Sequence, residues 1–210
     1  MLQIPMLEII TAHTDTLSNH YEEFVLLIRL LRLLGEETSV SPEHLATATH
    51  HTRAEVEAFL QSTDLVVCRD GTIDLSPDPH LIQLEKKTLA VACALDTLVY
   101  PVLLGRWANV LSTCPATGRQ IRLTVTAQER IEDLDPQSAV LSLRLPGETT
   151  NVCKVRETVC HYGHFFVDRE HASTCPGLHP EAVLLSIEEG AQLAHEIARA
   201  ACTYMEKVEF

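Results

Sequence analysis

The sequence predicts an α+β protein in which an N-terminal winged-helix-like helical module packs on a C-terminal mixed α/β domain with a small sheet. The first eighty residues carry three helix signals followed by a hairpin signal. The remainder mixes strand-like and helix-like segments without the regular alternation of a parallel α/β sheet. A Ser-Pro-Asp-Pro break at residues 76–79 separates the two parts. We therefore predict domains at residues 1–79 and 80–210.

The helical module is predicted from its start and stop signals. Ser18 can cap a helix whose apolar face ends at Gly35. Ser-Pro at residues 41–42 starts a second helix, with proline at the first helical position. A capping box at residues 52–55 starts a third. A turn at residues 69–71 then joins two short strands, which completes the winged-helix pattern.

The C-terminal domain begins with a short strand at residues 80–84 and an apolar segment at residues 88–104. We predict that the apolar segment is a buried helix interrupted at Pro101. A capping box at residues 186–189 starts a final amphipathic helix that reaches about residue 207. Between them we predict strands at residues 108–112, 121–126, 139–145, 163–167 and 183–186, and a short helix at residues 151–158.

Composition and charge narrow the possible partners. The net charge of −13 disfavours a surface that binds nucleic acid phosphates. The third predicted helix, which would read DNA, offers Arg53 beside Glu55 and Glu57. The most apolar segment, residues 24–34, is too short to span a membrane, and no signal-peptide pattern is present. We therefore expect a cytoplasmic protein that binds neither nucleic acid nor membranes.

Seven cysteines stand out in the chain, none of them in a C-x-x-C pair. In a reducing cytosol such cysteines bind metal, catalyse or fill apolar space. Cys93 and Asp96 are three residues apart, so on a helix they share one face. The alternative is that Asp96 caps a neighbouring turn and Cys93 only fills the core. Cys114 precedes a turn at residues 115–118 and is expected to be a buried thiol.

A second cluster of metal-ligand residue types lies at residues 153–166. Cys153, Cys160, His161 and His164 could form a zinc site. The alternative is that the two histidines alternate on a strand and face solvent. No spacing rule joins this region to Cys93.

Three ordered blocks of the sequence resemble the bacterial organomercurial (alkylmercury) lyases. The first is CALDTL with the LGR that follows, within residues 93–106. The second is CPATG at residues 114–118. The third is VRETVC at residues 155–160 with HFF at residues 164–166. The resemblance covers the stretch from Val91 to Val167.

The resemblance implies that Cys93 and Cys160 bind mercury and that Asp96 shuttles the proton in cleavage of a carbon–mercury bond. Cys114 matches a cysteine that is structural in the family. Mercury would be substrate and product, with no cofactor and with excess thiol for turnover. Mercury(II) would pass to a mercuric reductase or to small thiols. Two departures, Ala92 and His161, bear on substrate preference, and His161 could also perturb the pKa of Cys160.

The residue types suit this chemistry, because mercury(II) is a soft cation and thiolate is a soft ligand. Asp96 would accept a thiol proton and later deliver it to carbon. One alternative is a non-catalytic protein that binds mercury or copper through the same thiols; others are a winged-helix metalloregulator and a zinc protein. The lyase hypothesis requires Cys160 and Cys93 to meet in the folded chain.

Overall fold

Three helices and a β-hairpin form the N-terminal part of the molecule, as the sequence predicts. The computed structural model describes residues 21–37, 39–75, 79–128, 130–144 and 155–206. The elements are α1 (Tyr21–Glu36), α2 (Pro42–Thr49), α3 (Arg53–Ser62), β1 (Val66–Arg69) and β2 (Thr72–Leu75). Strands β1 and β2 are antiparallel, and Val40 forms an isolated β-bridge with Ile73.

The predicted caps of α2 and α3 are confirmed. The Ser41 hydroxyl accepts a hydrogen bond from the backbone N–H of His44 at 3.0 Å. At α3, the Glu55 N–H donates to the Thr52 hydroxyl at 3.3 Å and the Thr52 N–H donates to the Glu55 carboxylate at 2.7 Å. These bonds satisfy backbone donors that have no partner inside a helix. Ser18, the predicted cap of α1, lies outside the described residues.

Helix α1 does not stop at Gly35 but continues to Glu36. Gly35 lies against the C-terminal domain. A Cβ built on it would lie 3.5 Å from side-chain carbons of Leu84 and Leu104. That distance is an ordinary van der Waals contact, so the packing tolerates a small side chain at residue 35.

A five-stranded antiparallel sheet forms the first part of the C-terminal domain. Its strands are β3 (His80–Gln83), β4 (Thr88–Val91), β5 (Ala108–Thr113), β6 (Gln120–Val125) and β7 (Ile131–Asp135). The strand order is β4-β3-β5-β6-β7. The predicted strands at residues 80–84, 108–112 and 121–126 are all present in this sheet.

The prediction of one helix over residues 88–104 is wrong. Thr88–Val91 is strand β4, paired with β3 so that Leu81 faces Ala90. Exposed and buried residues alternate along part of it, which is the period of a strand. Helix α4 (Asp96–Leu104) begins only after a four-residue link. Pro101 lies inside α4, and the helix nevertheless continues to Leu104.

Strand β7 was not predicted, and it lies at an edge of the five-stranded sheet. Its sequence, IEDLD, contains three acidic residues and only two apolar ones. The register between β6 and β7 shifts between Arg122 and Thr124. Asp133 has a φ of 52°, a left-handed conformation that a non-glycine residue seldom adopts. This irregular, acidic pattern explains why periodicity did not reveal the strand.

A three-stranded antiparallel sheet and several helices complete the domain. The elements are β8 (Val140–Leu143), α5 (Val155–Thr158), a 3₁₀ helix (Cys160–Tyr162), β9 (Phe165–Phe166), α6 (Arg169–Thr174), β10 (Val183–Ser186) and α7 (Ile187–Glu206). The sheet order is β10-β8-β9. Helix α6 was not predicted; the carboxylate of Asp168 accepts a hydrogen bond from the His171 N–H at 2.8 Å and caps this helix. The predicted capping box of α7 is confirmed, with Ser186 and Glu189 exchanging hydrogen bonds.

The hydrophobic core is continuous from the helical module into the C-terminal domain. Helix α7 packs closely on α4 and β8: a Cβ built on Gly190 would lie 2.9 Å from Leu141 and 3.4 Å from Leu98. The Arg106 guanidinium donates to the Gly35 carbonyl at 3.3 Å, across the two parts. Residues 76–78 lie outside the described part, and the boundary at residues 79/80 stays a prediction. None of the described helices combines the length and apolar character needed to cross a bilayer.

Candidate active site

The first thiol, Cys93, lies in the four-residue link between β4 and α4. The Asp96 N–H donates to the Cys93 carbonyl at 3.1 Å, which closes a tight turn. The Thr97 hydroxyl donates to the Ala94 carbonyl at 2.7 Å and stabilises the start of α4. The sequence suggested that Cys93 lies on a helix, but it lies in the link before α4. The turn nevertheless places Asp96, the first residue of α4, beside Cys93.

The second thiol, Cys160, begins the 3₁₀ helix that precedes β9. The Gly163 N–H donates to the Cys160 carbonyl at 2.9 Å. Ser142, a fully buried residue of β8, anchors the end of this segment. Its hydroxyl donates to the Tyr162 carbonyl at 2.8 Å and accepts from the His164 N–H at 3.0 Å. A buried strand therefore fixes the backbone on which Cys160 stands.

The two thiol-bearing segments are joined through Gly163. Its carbonyl accepts a hydrogen bond from the Ala94 N–H at 2.9 Å, next to Cys93. Its φ of −89° is open to any residue, so the backbone conformation does not require glycine. Space does: a Cβ at Gly163 would overlap the Cys93 Sγ. The Cys93 sulfur occupies the room that a side chain at residue 163 would take.

The side chains of Cys93, Asp96 and Cys160 converge at this junction. The two Sγ atoms and a carboxylate oxygen of Asp96 all lie within 4.8 Å of one another. Cys93 is 3% exposed, Cys160 is 6% exposed and Asp96 is half-buried. Two sulfurs at this separation can bind one soft metal ion, and the carboxylate oxygen lies within 4.8 Å of both sulfurs.

The electrostatics of the site keep Cys160 protonated in the absence of metal. The pKa of Cys160 is raised well above that of a free thiol, first by a hydrogen bond with Cys93 and secondly by burial. The negative charge of Asp96 raises this pKa further. Burial, together with the charges of Asp96 and the thiols, likewise holds the pKa of Tyr100 well above 10. A thiolate at Cys160 is therefore disfavoured in this site.

The predicted zinc set is not assembled in the part of the chain that the structure describes. There, the one group of three or more potential metal ligands is Cys93, Asp96 and Cys160. His161 is exposed, and its ring lies 6.5 Å from that of the half-buried His164. Cys153 lies outside the described residues.

The remaining described cysteines lie apart from this group. Cys114 is fully buried. Burial raises the pKa of Cys114, but hydrogen bonds from the Thr117 hydroxyl and from backbone N–H groups, including that of Val167, outweigh it and lower the pKa. These bonds tie the turn at residues 114–118 to the segment after β9. Cys68 is exposed, and Cys175 and Cys202 are half-buried.

Two residues that shape the site were missed in the sequence. Ser142 lies on a strand whose four residues are all buried, and a buried hydroxyl requires hydrogen-bond partners. Gly163 lies among cysteine and histidine residues in the sequence, and nothing in that context marks the glycine as part of the site. Only the folded chain shows that Gly163 touches Cys93.

Comparison with known proteins places this arrangement in a family. A family model described as alkylmercury lyase matches residues 74–199. The alkylmercury lyase of Staphylococcus epidermidis is 33% identical over 174 residues, covering 80% of this chain and 79% of the relative. That of Pseudomonas putida is 35% identical over 187 residues, covering 86% of each.

A solved structure shows that the fold is shared as well. The mercury-bound form of MerB2 superimposes with a TM-score of 0.72 at 21% identity, covering 93% of this chain and 99% of that chain. The identity of the sequence relatives, the extent of the matched region and the common fold agree with one another. The chain belongs to the alkylmercury lyase family.

Proposed function

We propose that the chain is an alkylmercury lyase that cleaves the carbon–mercury bond of an organomercurial, with Cys93 and Cys160 as mercury ligands and Asp96 as the proton shuttle. The observation that carries this proposal is the convergence of two buried thiols and one carboxylate within 4.8 Å. Family membership supports the reaction, and the geometry supports the assignment of roles to these three residues.

The first step is capture of the substrate by Cys93. An organomercurial reaches the site as R–Hg–SR′, bound to a small thiol. Cys93 loses its proton to Asp96, and its thiolate replaces the small thiol on mercury. Removal of the Cys93 proton requires a base, and it is necessary because a neutral thiol is a poor ligand. Asp96 is the nearest carboxylate on the same turn, and its N–H bond to the Cys93 carbonyl keeps the two together.

The second step is protonation of carbon. Cys160 adds to mercury, and the proton that its raised pKa had retained passes through solvent to the thiolate R′S⁻ released in the first step. Two thiolates push electron density through mercury onto the carbon, and the protonated Asp96 delivers its proton there. The carbon–mercury bond breaks and a carbon–hydrogen bond forms. The balance is R–Hg–SR′ plus two thiols giving RH, R′SH and mercury(II) held between Cys93 and Cys160, with no change of oxidation state.

Release of mercury(II) completes turnover. Both sulfurs belong to buried residues, so dissociation of the bare ion is unfavourable and an incoming thiol or dithiol must replace them one at a time. We infer that small thiols or a mercuric reductase accept the ion, and that the reaction takes place in the cytoplasm, where reduced thiols are available. No resident cofactor is required by these steps.

Headspace detection of hydrocarbon tests the proposal. Purified protein is incubated with methylmercury or phenylmercury and excess small thiol, and methane or benzene is measured. Cys93→Ser, Cys160→Ser and Asp96→Asn should each lose turnover, while Asp96→Asn should still bind mercury. The exposed Cys68 gives the matched control, and Cys68→Ser should retain the wild-type rate.

The same assay separates a lyase from a metal trap. A trap would bind methylmercury stoichiometrically and release no methane. Wild-type turnover by Cys160→Ser, or proton delivery by Asp96→Asn at the wild-type rate, would remove those residues from the mechanism.

A further inference from the structure

The helical module reaches the second thiol segment through one carboxylate. Asp64 lies in the link between α3 and β1. The backbone N–H of Arg156, 92 positions later in the sequence, donates to its Oδ1 at 3.4 Å. The N–H of Glu157 is hydrogen-bonded to the same side chain. The other carboxylate oxygen, Oδ2, is also buried.

The two amides belong to the first turn of α5, which is only four residues long. The first N–H groups of a helix have no partner within the helix, and a short helix gains little from its own hydrogen bonds. An acceptor supplied from elsewhere therefore stabilises this turn. Only Val159 separates α5 from Cys160, so a loosened turn moves the thiol directly.

Contacts with other parts of the fold lie on both sides of Cys160. Ser142 and Gly163 hold the backbone after the thiol, through the bonds described above. Before the thiol, Asp64 contacts the backbone of α5. The negative charge of Asp64 also contributes to the raised pKa of Cys160, which agrees with a short distance between them.

We propose that Asp64 is a positioning residue for the reaction: by accepting hydrogen bonds from the first turn of α5, it holds Cys160 at the distance from Cys93 that two-sulfur binding of mercury needs. This inference rests on the proposed function. It also gives the helical module a role in catalysis, as the element that supplies this carboxylate. In that role the module needs no positive surface, which agrees with the net charge of −13.

Kinetics of three variants test the proposal. Asp64→Ala removes the acceptor, whereas Asp64→Asn keeps an acceptor oxygen of the same reach and removes the charge. Glu57→Ala removes an exposed carboxylate of α3 that is ion-paired to Arg53 and serves as the matched control. Each is assayed for benzene release from phenylmercury, with kcat and KM measured separately.

We expect Asp64→Ala to lower kcat by about 10- to 100-fold with little change in KM, because Cys93 still captures the substrate but the second sulfur is misplaced. Asp64→Asn should restore kcat to within about threefold of the wild type, and Glu57→Ala should match the wild type. Wild-type kcat in Asp64→Ala would overturn the proposal. So would an Asp64→Asn enzyme as slow as Asp64→Ala, since the charge and not the acceptor would then matter.

Amide hydrogen exchange supplies a readout that is independent of activity. In the folded wild type, the amides of Arg156 and Glu157 should exchange slowly, and Asp64→Asn should preserve this protection. Unprotected amides in the wild type would contradict the proposal even if Asp64→Ala does not fold. A wild-type protein that releases no hydrocarbon would refute the lyase function, and the exchange result would still judge the Asp64 contact.

Discussion

Acidification is expected to destabilise the protein through one buried histidine, His80. Its ring lies beneath the second thiol segment, 5.8 Å from the ring of His164 and edge-on to Phe165 at 6.1 Å. Its Nδ1 is 2.7 Å from the Ser112 hydroxyl. Burial, and secondly the nearby His164, lower the pKa of His80 to about 3. The folded protein therefore holds this side chain neutral where an unfolded chain would protonate it.

The magnitude follows from the difference in pKa between the two states. The folded pKa of about 3 is below the unfolded value of 6.5, so protonation favours the unfolded chain. The stability from this group is fully present above pH 6.5 and is lost progressively as the pH falls towards about 3. At about pH 5 the folded state remains neutral and the unfolded state is mostly charged, which costs about 2 kcal/mol relative to neutral pH.

Urea unfolding of the wild type and of His80→Asn at about pH 7.5 and about pH 5 measures this cost. The substitution also removes packing and the contact with Ser112, but that loss is nearly independent of pH. The wild type should lose about 2 kcal/mol more than the variant between the two pH values, because the other titrating groups are common to both. Equal losses would refute the assignment of a strongly lowered pKa to His80.

Three further predictions concern stability and packing. Ser142→Ala leaves the His164 N–H and the Tyr162 carbonyl without the hydroxyl. It should lower the free energy of unfolding by about 2–4 kcal/mol in urea titrations and slow hydrocarbon release. Gly190→Ala places a Cβ 2.9 Å from Leu141 and should destabilise by about 1–3 kcal/mol; an unchanged urea midpoint would mean that α7 shifts without cost. Thr52→Ala removes the capping box of α3 and should lower the free energy of unfolding by about 1 kcal/mol. It should leave kcat unchanged, since the cap is exposed. A larger loss of stability would point to a role beyond capping.

Local signals in the sequence predicted most of the helical module. Caps at Ser41 and Thr52 depend on neighbours within three residues, so they are visible without tertiary information. Residues 88–91 were misassigned because the segment is apolar on both sides of the link to α4, and only pairing with β3 decides its conformation. Strand β7 was not predicted for the opposite reason: acidic residues occupy most of its positions, so it has no apolar pattern.

The candidate site was predicted in part. Its three side chains were named through family resemblance, whereas residue spacing alone gave no reason to bring Cys160 to Cys93. The contact between them depends on hydrogen bonds from distant parts of the chain, at Ser142 and Gly163. Asp64 had no local signal at all, because the Arg156 amide that donates to it lies 92 positions away.

The edge strand β7 also bears on how the protein behaves in concentrated solution. An edge strand normally offers free backbone groups that can pair with a neighbouring molecule and seed aggregates. Here the exposed Glu132 and Asp133 place negative charge along that edge, whereas Asp135 is ion-paired with Arg119. The left-handed residue Asp133 also breaks the regular backbone that a docking strand would need. Two molecules approaching edge to edge would therefore repel each other and mismatch, which helps a chain that is 46% hydrophobic to remain dispersed.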